Sequence, residues 1–162
     1  MQGGRILSRY AENTKVAADK SRAEIERTLT RYGADQFMYG WETDAAMIAF
    51  RARGRQIRFF MPLPDKTERR FTHTETKRQR RAPEAAHAQW EQACRQRWRA
   101  LALCIKAKLE AVEAGITTFE DEFMAHTVLP DGRTVSQALT PQIESAYETG
   151  HMPPLLPDYS QQ

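Results

Sequence analysis

Residues Pro83 to Ala114 form the longest stretch of this chain without a helix breaker, and the rest of the sequence must be arranged around it. Pro83 suits the first helical position, where no N–H is needed, and Gly115 supplies the left-handed residue that closes a helix. Trp90, Cys94, Trp98, Leu101, Ile105, Leu109 and Val112 recur at steps of three or four, the spacing of one helical face. At about 1.5 Å per residue such a helix runs roughly 48 Å, longer than a small domain is wide. The length predicts that one end carries the fold while the other projects. Leu101 to Ile105 is apolar at consecutive positions and demands cover on more than one side, from C-terminal helices or from a second subunit. A homo-oligomer formed through this helix is therefore one expectation.

Upstream, the period changes from helical to alternating. Ser21 and Glu24 have the spacing of a capping box, followed by Ile25, Leu29 and Tyr32 on one face and Gly33 as a stop. This predicts a short amphipathic helix covering one side of a sheet. In residues 36–41, Phe37, Tyr39 and Trp41 share one side; in 46–51, Ile48 and Phe50 do; in 56–61, Ile57, Phe59 and Met61 do. Short connections at 42–44 and 53–55 make these three strands an antiparallel meander. The opposite side carries Met47, Ala49, Arg51, Arg58 and Phe60. Pro62 and Pro64 end the last strand.

Residues 65–82 lack apolar periodicity and hold seven Lys or Arg among threonines, which predicts an exposed loop or frayed hairpin. Beyond the long helix, Thr117 with Glu120 and Thr134 with Gln137 form two further capping boxes. The first starts a short helix burying Phe119 and Phe123, and its run Glu120-Asp121-Glu122 suits the first turn, where the helix dipole favours negative charge. The second starts a helix with an apolar face of Val135, Leu139, Ile143 and Tyr147, and Pro141 inside it predicts a kink or break near Thr140. Met152 to Pro157 favours an extended polyproline-like tail.

The expected fold is α+β: a short N-terminal helix, a three-stranded antiparallel meander, the long central helix and a small helical C-terminal extension. Its parts are an arm over 1–20, a core over 21–114 with the basic loop 65–82, an extension over 115–150 and a Pro-rich tail over 151–162.

Charge is distributed unevenly. Residues 51–81 carry eleven basic and three acidic groups, whereas residues 111–162 carry one basic and eight acidic groups. Such asymmetry points to a polyanion or acidic partner for the middle, or to the tail folding back on it. Nucleic-acid phosphates are the polyanion that arginines and lysines neutralise best, and exposed aromatics stack on unpaired bases. The candidate nucleic-acid-binding residues are Arg51, Arg53, Arg55 and Arg58 on the hairpin, Arg69, Arg70, Lys77, Arg78, Arg80 and Arg81 in the loop, and Arg95 and Arg99 on the long helix. Phe60 and Phe71 are the candidates for stacking.

No catalytic residue is assigned. Gly-rich phosphate loops, G-x-S-x-G and a Cys-His pairing are all missing, which argues against an enzyme. Pro64-Asp65 and Glu75-Thr76-Lys77 match the letters of a PD-(D/E)xK nuclease site, but such carboxylates need neighbouring strands and both halves fall in the loop. His73, His87, His126 and His151 are scattered without zinc-like spacing, so neither a metal nor another cofactor is expected. Cys94 and Cys104, about 15 Å apart along one helix, are too distant for a disulfide and read as core residues in a reducing compartment. No apolar run reaches signal-peptide or membrane-span length, which predicts a cytoplasmic protein without membrane contact.

The stretches Arg31-Tyr32-Gly33-Ala34 with Phe37 to Gly40, Gly54 to Pro64, Trp90 to Glu113, Gly115 to Phe123 and Met152 to Pro157 resemble a family of small uncharacterised bacteriophage and prophage proteins. The resemblance covers roughly residues 11–157. It implies a phage-encoded protein acting in a bacterial host, either on DNA or RNA in replication or recombination, or as an inhibitor or regulator that binds a host defence protein. The element order also resembles that of double-stranded RNA-binding domains, although the loop before the long helix is too long for a compact one.

Overall fold

The computed structural model describes residues 20–42, 44–76 and 78–155. Residues 1–19 of the arm, Thr43, Lys77 and the end of the tail from Leu156 lie outside the described residues. Helix α1 runs through residues 20–31, and strands β1 (Gln36–Trp41), β2 (Ala45–Ala52) and β3 (Arg55–Pro62) follow in the order β1-β2-β3. Helix α2 (Arg69–Thr72) lies in the loop, α3 (Pro83–Glu113) is the long helix, and α4 (Phe119–Phe123), a 3-10 turn (Met124–His126) and α5 (Val135–Thr149) complete the chain. The molecule is α+β, with the expected meander and central helix.

Register explains why the sheet has one apolar face. Phe37 pairs with Phe50 and Phe50 with Ile57; Tyr39 pairs with Ile48 and Ile48 with Phe59; Trp41 pairs with Ala46 and Ala46 with Met61. A side-chain period of two puts all nine on the face toward α3. At the β2–β3 turn Arg53 and Gly54 both take positive φ, 50° and 72°. Such a two-residue turn matches the right-handed twist of the strands it joins, and Gly54 takes that conformation without a Cβ penalty.

The main core joins Ile25 and Leu29 of α1, the inner sheet face, Trp98, Ala102, Ile105 and Leu109 of α3, and Phe119 and Phe123 of α4. Phe123 is fully buried, its ring edge-on to Phe50 at 5.9 Å and to Phe59 at 6.3 Å. Burying such a side chain contributes about 1.5–3 kcal/mol. Arg22 of α1 lies 3.8 Å over the Tyr39 ring and adds a cation–π contact to the same layer.

The N-terminal half of α3 does not project. Trp90 and Cys94 bury Phe71 of α2 in a second cluster, and Leu63 packs against both clusters. Loop 65–82 is therefore ordered. Aromatic burial, which the absence of periodicity concealed, closes α2 onto α3. An antiparallel bridge between His73 and Arg80 then folds the remainder into a small ribbon, with Arg81 N–H donating to Thr72 O at 2.7 Å.

Other local expectations shift. Residue 20 is already helical, so Ser21 lies inside α1 instead of capping it. The cap of α4 is Thr118, one residue after Thr117, and its hydroxyl accepts from Asp121 N–H at 3.1 Å. Thr134 and Gln137 form the expected box, with both reciprocal bonds present. Pro141 does not break α5, which is helical on both sides of it. Residues 151–155 carry neither helix nor strand.

Burial along α3 follows Trp90, Cys94, Trp98, Ala102, Ile105 and Leu109, a seam in which Ala102 takes the fully buried place expected of Leu101. Leu103 and Cys104 are exposed, so the described residues cover the apolar run on one side. Cys104 is not a core residue. Only the start of the α5 face is sheltered: Ala138 is fully buried, whereas Ile143 is exposed and Tyr147 is 88% exposed. No described helix is long and apolar enough to cross a membrane.

Candidate nucleic-acid interface

The structure divides the sequence-predicted arginines into two groups. Arg51, Arg53 and Arg55 stand at the turn end of the β2–β3 hairpin, where Arg53 lies 5.5 Å over the Phe119 ring. Arg69, Arg70, Arg78, Arg80 and Arg81 belong to the loop at the other end of β3, with Arg95 on the adjoining half of α3. Eight residues of β3 separate the groups, about 23 Å at strand rise. Arg99 is exposed one helical turn beyond Arg95, and Lys77 lies outside the described residues.

Several of these side chains are already engaged. Arg51 makes a two-pronged ion pair with Asp35, both bonds 2.8 Å, and that hydrogen bonding holds the Asp35 carboxyl below the usual carboxylate range. Arg70 pairs with Glu68 at 2.7 Å, and Arg95 donates twice to the Gln92 side chain. Arg58 donates to Gly132 O, pinning the turn before α5 across the sheet. Arg81 is half-buried, so its charge is not freely presented.

Arg69, Arg78 and Arg80 are exposed, and no ion pair holds them among the described residues. Their loop is braced from below. Trp90 donates its indole N–H to Pro64 O at 2.7 Å, Lys66 sits 4.2 Å over the same ring, and Arg97 donates to Pro62 O. Within the ribbon, Thr74 N–H donates to Gln79 O at 2.8 Å and Arg78 N–H to Thr74 O at 3.0 Å. Arg78 occupies the left-handed region at φ 49°, in the turn of the ribbon, and is exposed. Lys66 lies in the predicted basic region and Arg97 on the long helix outside it, and neither carried a sign in the sequence that it braces the loop.

Of the two stacking candidates, Phe71 is withdrawn because it is 3% exposed in the second cluster. Phe60 is 53% exposed on the outer face of the sheet, with the Arg58 guanidinium 5.2 Å from its ring centre.

The nuclease-like letters do not assemble. Asp65 accepts hydrogen bonds from Thr67 N–H and its hydroxyl, both 2.8 Å, which lowers its pKa, while Glu75 lies in the ribbon turn. The two do not sit on neighbouring strands, and the described residues contain no group of three or more potential metal ligands. The histidines are employed locally: His126 stacks on Phe59 at 3.9 Å, and His87 faces Glu91 one turn along α3 at 3.2 Å. The acidic C-terminal helix packs chiefly on the 3-10 turn, and no ion pair among the described residues links Glu144 or Glu148 to the loop arginines.

Comparison of the chain with protein-family models, with curated proteins and with solved structures found no match.

Proposed function

We propose that this protein binds nucleic acid without chemically altering it, through phosphate contacts made by the ordered loop. The observation that carries this reading is the pair Arg78 and Arg80, exposed, without a carboxylate partner among the described residues, and fixed on a ribbon that α3 supports. Because the backbone carrying them is already ordered, binding a phosphate does not carry the cost of folding the loop, and counterion release then supplies affinity that falls with salt. Arg69 and Lys66 extend the same basic surface. The resemblance to phage proteins supports a setting in the cytoplasm of an infected or lysogenic bacterium, in DNA replication or recombination.

The test is fluorescence anisotropy of labelled single-stranded DNA, duplex DNA and RNA at low and near-physiological salt. Saturable binding with a log-linear salt dependence is expected. Replacing Arg78 and Arg80 together with glutamine should weaken binding and flatten the salt slope by about 0.7 per lost contact on single strands or 0.9 on duplex. Unchanged binding removes the loop from the mechanism.

A second reading rests on α5. Ile143 and Tyr147 are exposed one turn apart beside Glu144 and Glu148, a surface suited to a protein partner with a basic rim, such as a host defence protein. Absence of nucleic-acid binding together with specific retention of one host protein, lost on Tyr147→Ala, would favour it.

A further inference from the structure

Among the described residues, helices pack on one face of the sheet. The other face is built in three rows read from the strand register: Gln36, Arg51 and Gln56; then Met38, Ala49 and Arg58; then Gly40, Met47 and Phe60. Met38 is 52% and Phe60 53% exposed, an unusual concentration of apolar side chain for an uncovered sheet. Beside Ala49, itself 2% exposed, lies an open depression of about 490 Å³, lined also by Gln36, Phe37, Met38, Phe50, Arg51 and Gln56. At the row beyond, the Met47 side chain reaches across Gly40, leaving the ring of Phe60 as the upstanding feature.

We propose that this outer sheet face binds the bases of single-stranded nucleic acid, one base seated in the depression beside Ala49 and its neighbour stacked on Phe60. The proposal rests on the nucleic-acid reading above and adds the strand type and the site of base contact. Three observations select this occupant. The depression has an apolar floor but amide walls from Gln36 and Gln56, which the flat, hydrogen-bonding edge of a base can satisfy and an apolar helix would leave unpaired; the Arg51 guanidinium beside them is already paired with Asp35. Phe60 offers an exposed π face with the Arg58 guanidinium 5.2 Å from its ring centre, a cation that keeps its charge beside the ring while donating to Gly132 O. Ala49 and Phe60 lie on adjacent rows of neighbouring strands, two residues apart along the strand direction and one strand spacing across, about 8 Å in all, comparable to one extended nucleotide step. A duplex buries its base faces in its own stack and cannot use either position, so the surface discriminates strand state.

The experiment measures binding of one labelled oligonucleotide, alone and annealed to its complement, by wild type, Phe60→Ala, Phe60→Trp, Ala49→Leu and the Arg78/Arg80 double variant, with circular dichroism melting as the folding check. Phe60→Ala should weaken single-strand binding about tenfold, the loss of one base stack, and leave duplex binding unchanged. Phe60→Trp should restore it, because tryptophan keeps a π face. Ala49→Leu fills the depression and should act like Phe60→Ala; if it fails to fold, the Phe60 pair decides alone. Single-strand binding untouched by Phe60→Ala but reduced by the arginine variant overturns the base platform and leaves the phosphate reading standing. Equal losses on single strand and duplex overturn it as well. No binding by wild type to either form removes both, and a dimer that Phe60→Ala dissociates assigns the face to a second copy instead.

Discussion

The indole N–H of Trp90 donates to the main-chain carbonyl of Pro64 at 2.7 Å, tying the start of the basic loop to the N-terminal part of the long helix across twenty-six positions of sequence. Phe71 then packs on Trp90 from the far side of the loop. Trp90→Phe keeps most of the apolar contact but leaves a buried carbonyl unpaired, at a cost of about 1–3 kcal/mol. Trp90→Ala should cost about 3–5 kcal/mol. Because the second cluster is small, both variants should open the loop before the sheet. Limited trypsin digestion should then cut between Lys66 and Arg81 faster than in wild type, while far-ultraviolet circular dichroism still reports a folded protein. Protection equal to wild type would show that the loop is held by something else.

The two cysteines occupy opposite environments. Cys94 is buried in the second cluster, and burial pushes its thiol up to about 11, whereas Cys104 is exposed on the outer side of α3. Thiolate is the reactive form, so a maleimide or disulfide reagent at neutral pH should modify Cys104 quickly and Cys94 only after denaturation. Intact-mass spectrometry should show one adduct on the native protein and two after unfolding. Cys104→Ser should abolish the fast adduct.

His126 lies stacked on Phe59, half-buried, and its pKa is lowered by burial first and by the nearby Lys108 second. A histidine kept neutral in the fold gains its proton more readily when unfolded. The unfolded chain therefore binds more protons between the lowered folded pKa and the ordinary value near 6.5, and stability rises with pH through that window. Full stability is present above about 6.5 and is lost as pH falls toward the folded value. Thermal melts at pH 8 and pH 5.5 should show a lower Tm at the acid pH. His126→Gln, which cannot titrate, should shrink that difference while lowering Tm at both.

Thr134 is 4% exposed and closes both halves of the cap on α5, accepting from Gln137 N–H at 3.2 Å while its own N–H donates to the Gln137 side chain at 2.9 Å. Thr134→Ala removes the hydroxyl half and should cost about 1–2 kcal/mol. Since α5 packs chiefly against the 3-10 turn, fraying should be local. Hydrogen exchange should accelerate in Val135–Thr149 more than in the sheet. Uniform acceleration would mean that α5 is integral to the global fold.

Much of this molecule was legible because its signals are local. Alternation in 36–61 fixed three strands and the side each residue faces, since the strand period admits no other assignment once one face is buried. The steps of three and four from Trp90 to Leu109, bounded by Pro83 and Gly115, fixed α3. The box at Thr134 and Gln137 was equally secure, because both partners sit within one turn. Where neighbouring residues could serve the same role, as with Thr117 and Thr118, the local signal was off by a single position.

Contacts between distant segments were what the sequence alone left open. Nothing near Phe71 announces that it will meet Trp90, so an aperiodic basic stretch read as a free loop, and a ring offered for stacking proved to be core. The same distance explains Tyr147 and Cys104: each lies on an apolar-looking stretch, but packing partners are finite, and α3 and α5 bury only the sides that the sheet and the 3-10 turn reach. Composition determined that the middle of the chain is basic and the end acidic. Only tertiary structure decided that the arginines split between two ends of the sheet, that several are occupied by carboxylates and carbonyls, and that Met38 and Phe60 stand exposed on the sheet face away from α3. Burial and pairing are properties of surfaces brought together by the whole chain, and no single segment encodes them.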